Sequence, residues 1–168
     1  MNADNFYTDL NRDFKALMSG ETDFLVMMAN ASALLNERLN DVNWVGFYLV
    51  KDKNLTLGPF QGKIACTQIP WGVGVCGSAI TQSKSLRIDD VHQFDGHIAC
   101  DSASNSELAL PITINNQRVG VLDIDSPLFS RFSEEDERGM SAFIDIFSLL
   151  AKDTDYSKYF DCHSSEPY

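Results

Sequence analysis

Apolar residues at spacings of three and four predict two helices near the N-terminus, the second over about 22–39. The first helix is marked by a set that ends before Ser19: Phe6, Leu10, Phe14 and Leu17. Near the other end of the chain, SEEDERGMSAFIDIFSLLAKD begins with the capping-box pattern Ser133-x-x-Asp136 and continues with apolar residues at helical spacing. It predicts a terminal helix.

Between these helices the pattern changes to short stretches of β-branched and aromatic residues separated by polar turns. WVGFYLV begins a run of strands that continues through LTLGPFQGKIACTQI, and SLRIDD supplies another strand. ELALPITI and RVGVLDIDS close a hairpin around NNQ, while GVGVCGSAITQ is typical of a glycine-rich entry into a short helix. We predict an α+β fold: an antiparallel sheet of about six strands, with the terminal helices on one face and a ligand pocket under loops on the other.

The apolar residues of the last hairpin predict its register. Leu110 faces Leu122 only if the turn has an odd number of residues, such as the three residues NNQ. That register places Glu107 opposite Asp125, and Asp123 on the same face opposite an alanine. A two-residue turn would place Glu107 on the other face, so the prediction depends on the length of the turn.

Three carboxyl groups this close cannot all ionise at neutral pH without a large free-energy cost, so we expect one of them to keep its proton. Such a cluster can bind an ammonium group, protonate an oxygen or hold a metal. The alternative is an ordinary solvated strand end. However, LDID lies inside an otherwise apolar strand and close in sequence to a loop that contains a cysteine.

Composition limits the functional classes. Of the 168 residues 44% are hydrophobic, which is enough for one globular core and therefore one domain. The 13 Lys and Arg residues against 24 Asp and Glu residues leave a formal charge of -11, so neither nucleic acid nor a membrane surface is an expected partner. The first residues show no signal-peptide pattern, and we expect a cytoplasmic protein.

In a reducing cytoplasm, cysteines are expected to be free, metal-bound or redox-active. Cys66 lies in a predicted strand, and Cys76 lies where a helix N-terminus would favour a thiolate. Cys100 lies in the polar loop GHIACDSASNSE, with little apolar surface to pack against. An accessible thiol with partners within reach is what disulfide exchange requires. Inert packing stays an alternative for Cys76, and Cys162, in the polar tail, is interpreted as incidental.

His92, His97 and Cys100 follow an H-x4-H-x2-C spacing, which is a weak zinc pattern because a structural site takes two closely spaced ligand pairs. The zinc-deaminase pair H-x-E and P-C-x-x-C, the nucleotide-hydrolase motif G-x-x-x-x-G-K-[ST] and the serine-hydrolase motif G-x-S-x-G do not occur in the sequence. We therefore predict no metal site and no bound cofactor, and we expect the histidines to shape their loop.

Six motifs together resemble the free methionine-R-sulfoxide reductases, a family of single GAF domains. They are WVGFY, GPFQGKIAC, GVCG, DVHQFDGHIACDSASNSE, GVLDIDS and RFSEED, and they cover about 43–160. The resemblance implies one GAF domain over 1–160, with the following parts: N-terminal helices at 3–39, sheet and loops at 43–126, a terminal helix at 133–152 and, after the domain, a tail at 161–168.

The resemblance implies roles for individual residues. The attacking cysteine of the family falls on Cys100, its resolving cysteine on Cys66 and a further redox cysteine on Cys76. The substrate-binding positions fall on two aromatic and three acidic residues: Trp44, Tyr48, Glu107, Asp123 and Asp125. Catalytic roles are implied for Glu107 and Asp125 as well.

The implied reaction is the thiol-dependent reduction of free L-methionine-R-sulfoxide to methionine through a cysteine sulfenic acid and an intramolecular disulfide. This is an antioxidant repair of the free amino acid, in which thioredoxin or another external dithiol reopens the disulfide. The competing interpretation is a GAF domain that senses a small molecule, with regulatory cysteines and no turnover. The sequence leaves open whether the protein is a monomer or a homodimer, and in which order Cys66 and Cys76 act.

Overall fold

The computed structural model describes residues 3–96 and 102–159. Within these ranges the elements predicted from the hydrophobic pattern are all present, with bounds that differ by a few residues. In chain order they are α1 (Ala3–Met18), α2 (Phe24–Arg38), β1 (Trp44–Lys51), β2 (Asn54–Gly62), β3 (Gln68–Pro70), α3 (Gly74–Gln82), β4 (Leu86–Ile88), β5 (Ser106–Ile114), β6 (Gln117–Ser126) and α4 (Glu134–Ala151).

The six strands form one sheet in the order β3-β2-β1-β6-β5-β4, and each neighbouring pair is antiparallel. Helices α1, α2 and α4 cover one face, so the predicted α+β class, the strand number and the one-sided helical layer are confirmed. The predicted capping box also forms, since Ser133 and Asp136 bond reciprocally at the start of α4.

The helical face holds the main apolar core. Aromatic rings link the layers: Phe14 of α1 lies 4.4 Å from Phe143 of α4, and Phe47 of β1 stacks on Phe147 at 5.0 Å, measured between ring centroids. Burial of these side chains is the main stabilising contribution to the fold. In the described parts of the chain, no helix combines the length and the apolar character that a bilayer crossing requires.

The opposite face carries a smaller buried cluster under α3, which includes Trp44, Tyr48, Cys76 and Ala109. Helix α3 packs directly against the end of β3. A Cβ on Gly77 would lie only 2.5 Å from the carbonyl oxygen of Pro70, so this close approach requires a glycine. This face therefore receives side chains from β1, β5, β6 and α3. The predicted ligand pocket belongs on this side and stays a prediction.

The turn between β5 and β6 differs from the prediction. It consists of two residues, Asn115 and Asn116, and not of the three residues NNQ. Both asparagines adopt the left-handed conformation, with φ of 50° and 63°, as a two-residue type I′ turn requires. The prediction of a three-residue turn was wrong because asparagine tolerates this conformation and two asparagines in succession favour the shorter turn.

The register of the hairpin is nevertheless the predicted one. Glu107 pairs with Asp125, and Ala109 pairs with Asp123. The shorter turn is compensated by a β-bulge, which leaves Val119 unmatched on β6 and shifts the pairing by one residue. Beyond the bulge, each acid lies on the face that the apolar alternation indicated.

Candidate active site

Three acidic side chains meet on the face of the sheet that lies under α3. Glu107 of β5 and Asp123 of β6 are buried, with only 7% and 6% of their surfaces exposed. Asp125 lies opposite Glu107 in the ladder and is half-buried. The structure thus brings together the acids that the sequence singled out.

Cys76 joins this group from the first turn of α3. Its Sγ lies 3.6 Å from Oε1 of Glu107, and the thiol is free and buried. One ligand atom each of Cys76, Glu107 and Asp123 lie within 4.8 Å of one another, a spacing that a metal ion could bridge. We call these three residues the buried triad. The sequence indicated the position of Cys76 on the helix but not its contact with the acids.

Burial separates the protonation states of the two buried acids. It raises the pKa of Glu107 well above its ordinary value, and the charges of Asp123 and Asp125 raise it further. Burial also raises the pKa of Asp123 to about 6, against the lowering effect of hydrogen bonds from Glu107 and Cys76. Glu107 is therefore the member of the cluster that binds a proton more tightly, as expected for one of the three acids, while most Asp123 is ionised at neutral pH.

One oxygen of the ionised member is left without a donor. Oδ1 of Asp123 is buried and has no hydrogen-bond partner among residues 3–96 and 102–159. A buried carboxylate oxygen without a donor is unfavourable by itself. The residues on either side of Asp123 in the sheet are Gly46 on β1 and Ala109 on β5, and neither has a side chain that could donate a hydrogen bond to this oxygen.

An aromatic wall lies beside the acids. The ring of Trp44 stacks between those of Phe60, at 5.2 Å, and Tyr48, at 5.8 Å. This stack depends on Gly46, because a Cβ there would lie 2.3 Å from Cβ of Phe60 and 2.7 Å from Cη2 of Trp44. The sequence identified Trp44 and Tyr48 as pocket residues, but it did not identify Phe60 and Gly46. The available indication was that GPF, which contains Phe60, lies on the predicted strand after WVGFY, which contains Gly46.

The same aromatic residues hold the segment that carries Cys66. The indole N–H of Trp44 donates to the carbonyl oxygen of Lys63 at 3.1 Å, and the hydroxyl of Tyr48 donates to the carbonyl oxygen of Cys66 at 3.1 Å. The prediction that Cys66 lies in a strand was wrong, because β2 ends at Gly62 and β3 begins at Gln68, so Cys66 lies in the loop between them. It is half-buried and disulfide-bonded. That disulfide does not include Cys76, whose thiol is free.

The remaining predictions fall partly outside the described residues. Cys100, His97 and Cys162 lie there, so the role of Cys100 stays a prediction. His92 is exposed, and its Nδ1 lies 2.9 Å from Oδ1 of Asp90 in a short turn, which agrees with the expectation that it shapes its loop.

Comparison with known proteins identifies the family. The GAF domain model matches residues 21–149. The chain is 59% identical over 160 residues to the free methionine-R-sulfoxide reductase of Escherichia coli (strain K12), which covers 95% of this chain and 97% of the relative. The chain belongs to the free methionine-R-sulfoxide reductases. The resemblance carried by the six motifs is thereby confirmed.

Solved structures of free methionine-R-sulfoxide reductases share the fold. The reduced form of the Staphylococcus aureus protein is similar with a TM-score of 0.84 and 44% identity, over 86% of this chain and 94% of that chain. The Neisseria meningitidis protein in complex with its substrate has a TM-score of 0.85 and 36% identity, over 88% of this chain and 89% of that chain.

The buried acids make the stability of this free methionine-R-sulfoxide reductase depend on pH. The folded-state pKa of Asp123, about 6, lies above its ordinary value of 3.8, so the folded protein binds this proton more tightly than the unfolded chain does. The resulting stabilisation is complete below the unfolded value and is lost as pH rises through about 6. Between pH 4 and pH 8, Asp123→Asn should therefore gain about 2 kcal/mol of unfolding free energy relative to wild type.

Urea unfolding of both proteins at several pH values measures this difference, in which the groups that do not interact with Asp123 cancel. Asp145→Asn, on α4, is the matched control and should follow wild type at each pH. If the free energies of unfolding of wild type and Asp123→Asn differed by the same amount at every pH, Asp123 would titrate like an exposed carboxyl group.

Proposed function

We propose that the protein reduces free L-methionine-R-sulfoxide to methionine. The main support is the environment of Asp123: its buried Oδ1, which has no hydrogen-bond partner in the described part of the chain, lies next to a protonated Glu107 and the wall formed by Trp44. The ammonium group of a free amino acid supplies the donor that this oxygen lacks. Relatives that are named for this activity, one of them solved with its substrate, support the choice of substrate.

In the first step, the thiolate of Cys100 attacks the sulfur of the sulfoxide while Glu107 gives its proton to the sulfoxide oxygen. The protonated oxygen then transfers to the cysteine sulfur, so that its bond to the substrate sulfur and the transient bond between the two sulfur atoms both break and a cysteine sulfenic acid forms. Methionine leaves as the thioether. The substrate gains two electrons and the cysteine sulfur loses two, so no external cofactor takes part in this step.

In the second step, the thiolate of Cys66 attacks the sulfur of the Cys100 sulfenic acid and forms a disulfide, and the departing hydroxide leaves as water with the proton that the Cys66 thiol has released. The disulfide-bonded state of Cys66 and the free thiol of Cys76 support the choice of Cys66 as the resolving residue. An external dithiol of the thioredoxin class then reopens the bond by thiol exchange, which suits a cytoplasmic protein.

Recognition of the free amino acid follows from charge. Asp123 is mostly ionised at neutral pH, and the half-buried Asp125 lies beside it on the same face. An ammonium group can bind between such carboxylates, whereas the uncharged amide nitrogen of a peptide or an N-acetylated substrate cannot replace it. The aromatic wall is available to pack against the methyl group and side-chain stem of the substrate.

Free methionine-R-sulfoxide should be converted to methionine in the presence of dithiothreitol, whereas the S epimer and N-acetyl-methionine-R-sulfoxide should remain unconverted. Chromatographic separation of the products measures each reaction. The acetylated substrate is the matched control, since it keeps the sulfoxide and loses only the ammonium charge. Equal conversion of both R substrates would contradict the role of the acids, and conversion of none would favour the sensor interpretation.

A further inference from the structure

Of the two cysteines that the structure describes, Cys76 has surroundings that do not suit a redox role. Its side chain is only 3% exposed, and burial together with Asp123, Glu107 and Asp125 raises the pKa of its thiol. Disulfide exchange and attack on a sulfenic acid both need a thiolate, which this environment disfavours. The structure instead places the thiol against the proton donor of the proposed reaction.

The position of Cys76 is fixed by the packing of α3. The neighbouring Gly77 allows the helix to approach the carbonyl oxygen of Pro70, and the N–H of Gly72 donates to the carbonyl oxygen of Gly77 at 2.9 Å. The first turn of α3 is therefore tied to the chain that leaves β3. This contact points the Cys76 side chain at β5, where its Sγ lies 3.6 Å from Oε1 of Glu107.

We propose that Cys76 is a positioning residue that donates its S–H to Oε1 of Glu107 and so leaves the acidic proton of Glu107 on Oε2. This inference rests on the proposed function, because it concerns the orientation of the proton donor. When Glu107 has given up its proton, the hydrogen bond from the S–H group of Cys76 to the Glu107 carboxylate becomes charge-assisted and stronger. An interaction that strengthens along the reaction favours turnover more than substrate binding.

The other groups around Glu107 do not supply a neutral hydrogen-bond donor to its carboxyl group. Asp123 and Asp125 of β6 accept hydrogen bonds when ionised, and Ile88 of β4, which pairs with Glu107 in the ladder, carries no charge. Tyr48 of β1 donates its hydroxyl to the carbonyl oxygen of Cys66. Among the groups named here, the thiol of Cys76 is the neutral donor between the two buried acids: its hydrogen bond lowers the pKa of Asp123, and its Sγ lies 3.6 Å from Oε1 of Glu107.

Two substitutions separate positioning from packing. Cys76→Ala removes the donor that stabilises ionised Glu107, so its pKa should rise by about half to one unit, as expected for a weak S–H donor. Single-turnover methionine release should become about three- to tenfold slower. The basic limb of its pH–rate profile should move to higher pH by about as much as the pKa of Glu107 rises. Cys76→Ser keeps a donor of similar size and should restore the rate, with the basic limb at or below that of wild type.

The measurements are methionine release against pH in rapid-quench experiments and a carbon-13 NMR titration of the Glu107 carboxyl group, which needs no substrate. Ser78→Ala is the matched control, a half-buried position two residues further along α3, and it should match wild type in both. Thermal unfolding of each variant accompanies the comparison.

The inference is overturned if Cys76→Ala and Cys76→Ser shift the Glu107 titration in the same direction or not at all. It is also overturned if Cys76→Ser completes one turnover at the wild-type rate but fails to recycle, because that result assigns Cys76 a redox role. Wild-type protein that releases no methionine would refute the proposed function, and the NMR titration would still decide whether Cys76 controls the proton of Glu107.

Discussion

Cys100→Ser is expected to release no methionine, whereas Cys66→Ser is expected to release one methionine per chain and then stop. The first step needs a thiolate at the attacking position, and a serine hydroxyl is too weak a nucleophile to replace it. The resolving thiol acts only after methionine has formed. Its loss therefore stops recycling and leaves the first reduction intact.

Rapid-quench experiments with excess substrate and no reductant measure the amount of methionine released per chain. Dithiothreitol is omitted because a small thiol reduces a sulfenic acid directly and would hide the missing resolving cysteine. Cys162→Ser is the matched control and should behave as wild type. Methionine release by Cys100→Ser would show that another cysteine is the attacking residue. Repeated turnover of Cys66→Ser with thioredoxin would show that Cys66 is not the resolving residue.

Glu107→Gln should lower kcat by about 10²- to 10⁴-fold, the usual contribution of a positioned proton donor. Glutamine has nearly the shape of a protonated glutamate, so the fold and the neighbouring hydrogen bonds are kept while the transferable proton is lost. Asp123→Asn should mainly raise KM, because it removes the charge that binds the ammonium group. Asp125→Asn should lower kcat as well, through the electrostatic effect that Asp125 has on Glu107.

Steady-state kinetics with free methionine-R-sulfoxide separate these effects, and thermal unfolding shows whether each variant is folded. Removing a charge from a crowded buried cluster should leave the melting temperature unchanged or higher at neutral pH. Folded amide variants with wild-type kcat and KM would show that these carboxyl groups take no part in the reaction.

The fold was largely predictable because its signals are local. Apolar residues at helical spacing marked α1, α2 and α4, and β-branched and aromatic stretches marked the strands. The pairing of Glu107 with Asp125 was also predictable, since burial of Leu110 and Leu122 on one face decides the register over much of the hairpin. The turn that leads to this register was not, because a bulge can compensate for a change in turn length.

The finer geometry of the site depends on contacts between segments far apart in the chain. Nothing near Cys76 in the sequence indicates that its thiol reaches Glu107, because that contact follows from the approach of Gly77 to Pro70. The stacking of Phe60 on Trp44 likewise depends on the pairing of β1 with β2. Single-segment patterns predict which face a residue occupies, and they contain no information about such distances.

The bulge at Val119 also determines where the chain can change in length. The ladder of the last hairpin needs one residue fewer than β6 supplies between the turn and the acids. Loss of one residue at the bulge would leave the strands continuously paired, with Asp123 and Asp125 on the same face as before. Loss of a residue between the two acids would instead place them on opposite faces, because side chains alternate along a strand. Loss of a single residue is therefore compatible with the site at the bulge near the turn and incompatible with it between the two acids.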